Sequence, residues 1–97
     1  MNNVGINGFG RIGRSILRII VESNSDLNVI AINDLGDREN LVYLFKHDSI
    51  MGVLDLHVEL KGDDLIVGDR TIKLISHDDP ANIPWNDLGV DLVVEST

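Results

Sequence analysis

Three glycines in six residues, Gly8-Phe9-Gly10-Arg11-Ile12-Gly13, constrain this chain more than any other stretch. The run fits G-x-G-x-x-G, which opens a phosphate-binding turn when a strand leads into it and a helix leaves it. Val4-Gly5-Ile6-Asn7 is a short apolar strand in the right place. Arg11 to Glu22 reads as a helix, with Ile12, Ile16, Ile19 and Ile20 as its expected apolar stripe. Gly8 allows the tight turn, Gly10 lets a phosphate approach the backbone, and Gly13 lets the helix pack close on the strand. The first N–H groups of such a helix have no partners within it, and its dipole favours an anion above the turn.

A second apolar strand, Val29-Ile30-Ala31-Ile32, ends near Asp34. That acid lies about 20 residues beyond the last glycine, the spacing of the carboxylate that holds ribose hydroxyls in dinucleotide folds. The plain alternative makes the glycines an ordinary turn and Asp34 a solvated loop acid. Strand, turn, helix, strand and acid in this order favour the dinucleotide reading.

Composition narrows the partners. With 16 acidic against 8 basic side chains the net charge is −8, the wrong sign for nucleic acid, whose binding needs a basic face. A dinucleotide's pyrophosphate can still be held by backbone N–H groups. There is no cysteine, which removes disulfides, thiolate metal sites and a cysteine nucleophile from these residues. His47, His57 and His77 have no metal-ligand spacing. Asp48 and Ser49 beside a histidine do not make a triad by adjacency, and Asp63-Asp64 and Asp78-Asp79 read as turn acids rather than calcium loops. No apolar run approaches the ~20 residues of a membrane span, and the start lacks a basic signal-peptide region, so no membrane partner and a cytoplasmic location are expected.

The 97 residues make one domain at most. After the polar stop at Ser23 to Asp26 and the second strand, Asp37 is the expected N-cap of a helix from Arg38 to Lys46, with Leu41, Leu44, Phe45 and Val42 as its apolar face. Asp48 to Leu56 reads as a loop. Short strands follow at His57–Leu60, Leu65–Val67 and Thr71–Ile75, separated by Gly-Asp turns, and form an antiparallel meander. Asp79-Pro80 to Trp85 reads as a loop with Trp85 a packing residue, and Val90 to Glu95 as the last strand. The expected fold is therefore α/β: a Rossmann-type doubly wound parallel sheet, incomplete, with an inserted antiparallel β meander. Asn7, Asn33 and Ser96 should meet at the carboxyl edge of the sheet, where such folds put their ligand. The last strand has no covering helix after it, which leaves one face bare.

Specific runs resemble a known family. Asn7-Gly8-Phe9-Gly10-Arg11-Ile12-Gly13-Arg14, Ala31-Ile32-Asn33-Asp34-Leu35, Leu44-Phe45-Lys46-His47-Asp48-Ser49, Ile83-Pro84-Trp85 and Gly89-Val90-Asp91 through Ser96-Thr97 are similar, in order and from end to end, to glyceraldehyde-3-phosphate dehydrogenases. The resemblance implies NAD as cofactor, a small-molecule sugar-phosphate substrate, phosphorylating aldehyde oxidation and a homotetramer in the complete enzyme. It implies that residues 1–97 form the N-terminal portion of the NAD-binding domain. The cysteine and histidine that do the chemistry would lie in a later domain, so this chain alone is expected to be inert.

Carried over by position, the N–H groups of Arg11 and Ile12 would face the pyrophosphate and Gly8, Phe9 and Gly10 would line it, with Gly13 completing the cofactor-binding turn. Asp34 would take the adenosine ribose hydroxyls, Asn33 would lie near the adenine, and Ser96 and Thr97 at the adenine-side edge. An anionic Asp34 would repel a 2′-phosphate, which favours NAD over NADP. Arg11 and Arg14 are weighed as side-chain phosphate contacts against solvated or inter-subunit arginines. One departure stands out: Asp78 occupies the place where the family usually has an arginine, so a side-chain contact there would be lost and its charge reversed, whereas a backbone contact would survive. The alternatives are a sister enzyme, erythrose-4-phosphate dehydrogenase, and a stand-alone nucleotide-binding module without catalysis.

Overall fold

Branched apolar residues build the centre of the molecule. Strands β1 (Asn3–Asn7) and β2 (Asn28–Asn33) pair in parallel, with Ile6 opposite Ile32 and Asn7 opposite Asn33. The structure, a computed structural model, describes residues 2–23, 25–47 and 52–97. The expectations at Asn24, Asp48 and Ser49 lie outside the described residues. Helix α1 (Arg11–Glu22) joins β1 to β2, and α2 (Arg38–Lys46) leaves β2. A hairpin of β3 (Val58–Lys61) and β4 (Asp64–Val67) leads into β5 (Arg70–Ile75), and β6 (Leu92–Glu95) ends the described elements.

The strands form one sheet in the order β3-β4-β5-β2-β1-β6. β5 is antiparallel to β4 and parallel to β2, so the last strand of the meander is also a strand of the parallel sheet. The parallel set is thus β5-β2-β1-β6, with the β3–β4 hairpin added at one edge. This is the expected Rossmann-type sheet with its antiparallel extension. Both crossovers step in the same direction across the sheet, and the right-handed sense of such connections puts α1 and α2 on one face. The rings of Phe9, just before α1, and Phe45, in α2, meet there with centroids 5.7 Å apart.

Three local expectations are corrected. On α1 the buried face is Gly13, Leu17, Arg18 and Ile20, whereas Ile12 and Ile19 are 65% and 57% exposed. The glycine turn fixes the rotation of this helix: Gly13 must face the sheet, so the inward stripe runs 13-17-20 and Ile12, one step round, points to solvent. On α2 the face centres on fully buried Phe45, flanked by Leu41 and Val42, with Leu44 at the exposed margin. The last strand begins at Leu92 rather than Val90, because the preceding residues form turns. Leu88 N donates to the Pro84 carbonyl, and Val90 N to that of Trp85.

Arg18 is buried at the end of α1. Its Nε donates to Glu22 at 3.0 Å and its guanidinium reaches the Gly52 carbonyl, tying the chain after α2 to α1. A buried arginine is tolerable only with such partners.

Cross-strand neighbours share a face, so the pairings sort the sheet into two sides. Ile6, Ile32, Leu74 and Val94 form one row beneath the helices. Val93, Gly5, Ala31, Lys73 and Asp64 form a row on the other side. That far row is polar over the hairpin and small over the central strands, where Trp85 covers it. A Cβ on Gly5 would stand 2.4 Å from Cζ3 and 2.7 Å from Cε3 of the Trp85 ring. Gly5→Ala is therefore expected to displace the ring, costing about 1–3 kcal/mol. Because Trp85 is the single tryptophan, its emission reports the change directly: a red shift together with a lower urea midpoint is expected, and unchanged values of both would refute the contact.

Candidate functional site

The glycine run bends the chain from β1 into α1 at the carboxyl edge of the sheet. Gly8 has φ +95°, a conformation that glycine adopts at little cost. A Cβ there would also lie 2.9 Å from the Ser96 carbonyl carbon and from Thr97 Cα, so the turn sits directly on the exit of β6. Gly13 faces inward, where a Cβ would meet the Gly8 carbonyl oxygen at 2.4 Å and Ser96 Oγ at 2.9 Å. Gly10 is the opposite case, since a Cβ there would meet nothing within 4 Å. The open side of the turn is therefore at Gly10, and the packed sides are at Gly8 and Gly13.

The two helices begin differently. At α2, Asp37 caps the N-terminus by accepting from Asn40 N at 3.0 Å, and Glu39 adds an acid to the first turn. At α1, Gly10 holds the cap position with no side-chain hydrogen bond, and the first turn has no acid. Among the described residues, the N–H groups of Arg11 and Ile12 donate to no protein acceptor. A helix start of this kind leaves orphan donors and the positive dipole end facing outward.

Side-chain ties fix the walls around this opening. Asp34 accepts from Phe9 N through Oδ2 and from Gly36 N through Oδ1, both at 2.7 Å, bridging the glycine turn to the end of β2. A carboxylate has about four lone-pair positions, so each oxygen keeps capacity for a further donor. Asn33 is buried, and its amide donates to Asn7 Oδ1 (2.9 Å) and to the His77 carbonyl (3.1 Å), while its Oδ1 accepts from His77 N (2.8 Å). Asn7, also buried, donates to both carboxylate oxygens of Glu95. Ser96 N donates to the Asn7 carbonyl and its hydroxyl to the Gly8 carbonyl. Strands β1, β2 and β6 and the loop after β5 are thus laced together at one edge.

Between these ties lies a cleft of about 390 Å³, within the usual size of small-molecule sites. Gly8 and Gly10 form its floor, Asp34 and Leu35 one wall, His77, Asp78 and Pro80 another, with Ser96 and Thr97 at the β6 side. A larger opening of about 580 Å³ lies at the other end of the sheet, near Leu27, Asn28 and Gly68 to Thr71. The smaller cleft is the better candidate, because ligands of open α/β sheets bind at the carboxyl ends of the strands. Among the described residues no group of three metal-ligating side chains occurs.

Of the residues singled out in the sequence, Gly8, Gly10, Asn33, Asp34, Ser96 and Thr97 come together at this cleft. Gly13 lies behind it, as the contact that seats α1. Phe9 departs from its expected place lining the turn: its side chain is fully buried against Phe45, and its N–H is engaged by Asp34. Arg11 and Ile12 have exposed side chains at the start of α1 and are not among the described residues that line the cleft. The Arg14 guanidinium donates to the Phe9 carbonyl at 3.1 Å and so braces the turn. Both amide atoms of Asn33 are engaged by protein, so its side chain braces the cleft from within. Asn7 stands at this edge as expected, and Glu95 and His77 join it without having been singled out. Asn7, immediately before the glycines at the end of a strand, was findable. His77 was not, since the bonds that place it come from its backbone.

The two helix-start glycines differ in what an added methyl group would meet. Gly13→Ala is expected to destabilise the fold by about 2–3 kcal/mol, since the blocking atom is backbone. Gly10→Ala is expected to leave stability within about 0.5 kcal/mol, because its backbone is extended and the space open. Chemical denaturation of the two variants checks this, and equal losses would overturn the packing account.

The geometry agrees with comparisons to known proteins. The family model described as glyceraldehyde 3-phosphate dehydrogenase, NAD binding domain, matches residues 2–97. The glyceraldehyde-3-phosphate dehydrogenase of Chlamydia pneumoniae is 53% identical over 94 residues, covering 97% of this chain and 28% of that protein. That of Streptomyces coelicolor is 49% identical over 94 residues, with the same coverage of each. Glyceraldehyde-3-phosphate dehydrogenase 1 of Bacillus cereus is 46% identical over 97 residues, covering all of this chain and 29% of that protein. The chain thus spans under a third of the length of these relatives. An uncapped helix start over an open glycine, a carboxylate at the end of β2 and a match along nearly every residue lead to one conclusion: the chain belongs to the glyceraldehyde-3-phosphate dehydrogenase family, in the part that forms its NAD-binding domain.

Proposed function

We propose that residues 1–97 are the N-terminal portion of the NAD-binding domain of a phosphorylating glyceraldehyde-3-phosphate dehydrogenase, and that the cleft at the carboxyl edge holds the adenosine and pyrophosphate of NAD. The contrast between the two helix starts carries this reading: α2 is closed by its own acids, whereas α1 offers orphan N–H groups over an open Gly10. The N–H groups of Arg11 and Ile12 would hold the pyrophosphate. The remaining lone pairs of Asp34 would accept the ribose hydroxyls. Asn33 would act near the adenine by fixing the His77–Asp78 wall, and Ser96 and Thr97 would bound the cleft beside β6.

When bound, NAD supplies the hydride acceptor for oxidation of an aldehyde. The chain's own part is to bind and orient that group. With no cysteine among its 97 residues, it lacks the nucleophile that the family's chemistry requires, so these residues alone would bind without turning over substrate. In the full-length protein the reading extends to glyceraldehyde 3-phosphate as substrate, a homotetramer and the cytoplasm. Erythrose-4-phosphate dehydrogenase is the nearest alternative, because the same cofactor cleft serves either sugar phosphate.

Calorimetric titration of the protein at its natural length with NAD tests the reading. Binding is expected, and Gly10→Ala is expected to weaken it by roughly tenfold or more, as a methyl group keeps phosphate from the helix start. Since the same variant should keep its stability, loss of affinity would be specific to the site. Full NAD affinity in Gly10→Ala would refute the assignment of the pyrophosphate to this turn.

A further inference from the structure

The two carboxylates lining the cleft are in different situations. Asp34 has each oxygen engaged by a backbone N–H at 2.7 Å, and those dipoles offset part of the charge it presents. Asp78 is exposed, forms none of the ion pairs among the described residues, and accepts none of the hydrogen bonds recorded among them. Its position is nevertheless held, because Asn33 grips the carbonyl and N–H of the adjacent His77.

Among the described residues no lysine or arginine lines the cleft to balance these acids. Arg14 is turned to the Phe9 carbonyl, and Arg38 to Asp63 and the Leu74 carbonyl. A ribose carrying only hydroxyl groups suits Asp34, which can accept from them. A 2′-phosphate would bring nearly two further negative charges into a cleft with two carboxylates and no fixed cation.

We propose that Asp78 is a specificity-determining residue of this cleft, excluding 2′-phosphorylated dinucleotides by its unpaired charge while Asp34 selects for ribose hydroxyls. This rests on the reading of the cleft as a dinucleotide site. Asp34 also holds the glycine turn, so altering it weakens the turn for either cofactor. Asp78 has no such structural attachment and acts on the phosphorylated form alone.

The test is calorimetric titration of the natural-length protein and of D78N and D78E with NAD and, separately, NADP. D78N is expected to bind NADP on the order of tenfold more tightly, with NAD affinity within about twofold. That gain should shrink at high salt, as a charge effect does. D78E keeps the charge and is expected to match the parent. An unchanged NADP-to-NAD ratio in D78N, or D78E behaving like D78N, overturns the inference while leaving the dinucleotide reading intact. A parent protein that binds neither dinucleotide overturns the dinucleotide reading, and this inference with it.

Discussion

The Gly8 carbonyl oxygen sits where a Cβ on residue 13 would be, 2.4 Å from that position, and much of the functional edge depends on this closeness. It brings the start of α1 down onto the turn it has just left. It also sets the rotation of α1, so that Leu17 and Ile20 meet the sheet and Ile12 does not. Gly8 in turn lies against Ser96 and Thr97, so the same contact fixes where β6 leaves the sheet. Backbone that approaches this closely leaves no room for side chains. What remains exposed at such a place is N–H groups, and those suit an anion.

Around this steric centre a polar network does the fastening. Buried amides are tolerated only when their atoms find partners, and Asn7 and Asn33 find them in each other, in Glu95 and in the His77 backbone. Each of these bonds joins segments distant in sequence, so together they hold the walls of the cleft at set positions. Asp34 belongs to both systems. It fastens the glycine turn through Phe9 N and faces the cleft with its remaining lone pairs. Residues that look like ligand contacts and residues that look structural are here partly the same residues.

Much of the architecture was legible because local signals were strong. The glycine run, the branched strand residues and the Asp37 cap announced β1, α1, β2 and α2, and the bounds of α2 follow directly from its cap. The meander was legible from alternation and its Gly-Asp turns. Less legible was anything that turns on rotation or partnership. Four isoleucines at helical spacing suggested one stripe, yet a glycine decided which face turned inward. Phe9, within the motif, reads as part of the turn, and its ring instead fills the core against Phe45. Trp85 read correctly as a packing residue, but its seat on Gly5 joins positions 80 residues apart, and no local pattern marks such a pair.

Residue order alone therefore decided the sequence of strands and helices, the place of the phosphate-type turn and the family, because these rest on short-range periodicity, caps and turn chemistry. Three-dimensional packing decided which atoms remain free to meet a ligand. Among the described residues, the N–H groups of Arg11 and Ile12 meet no protein acceptor, Phe9 has its own taken by Asp34, both amide atoms of Asn33 are engaged, and Asp78 forms no ion pair. Those differences arise from long-range hydrogen bonds and close backbone contact, which bring together groups that the chain itself keeps far apart.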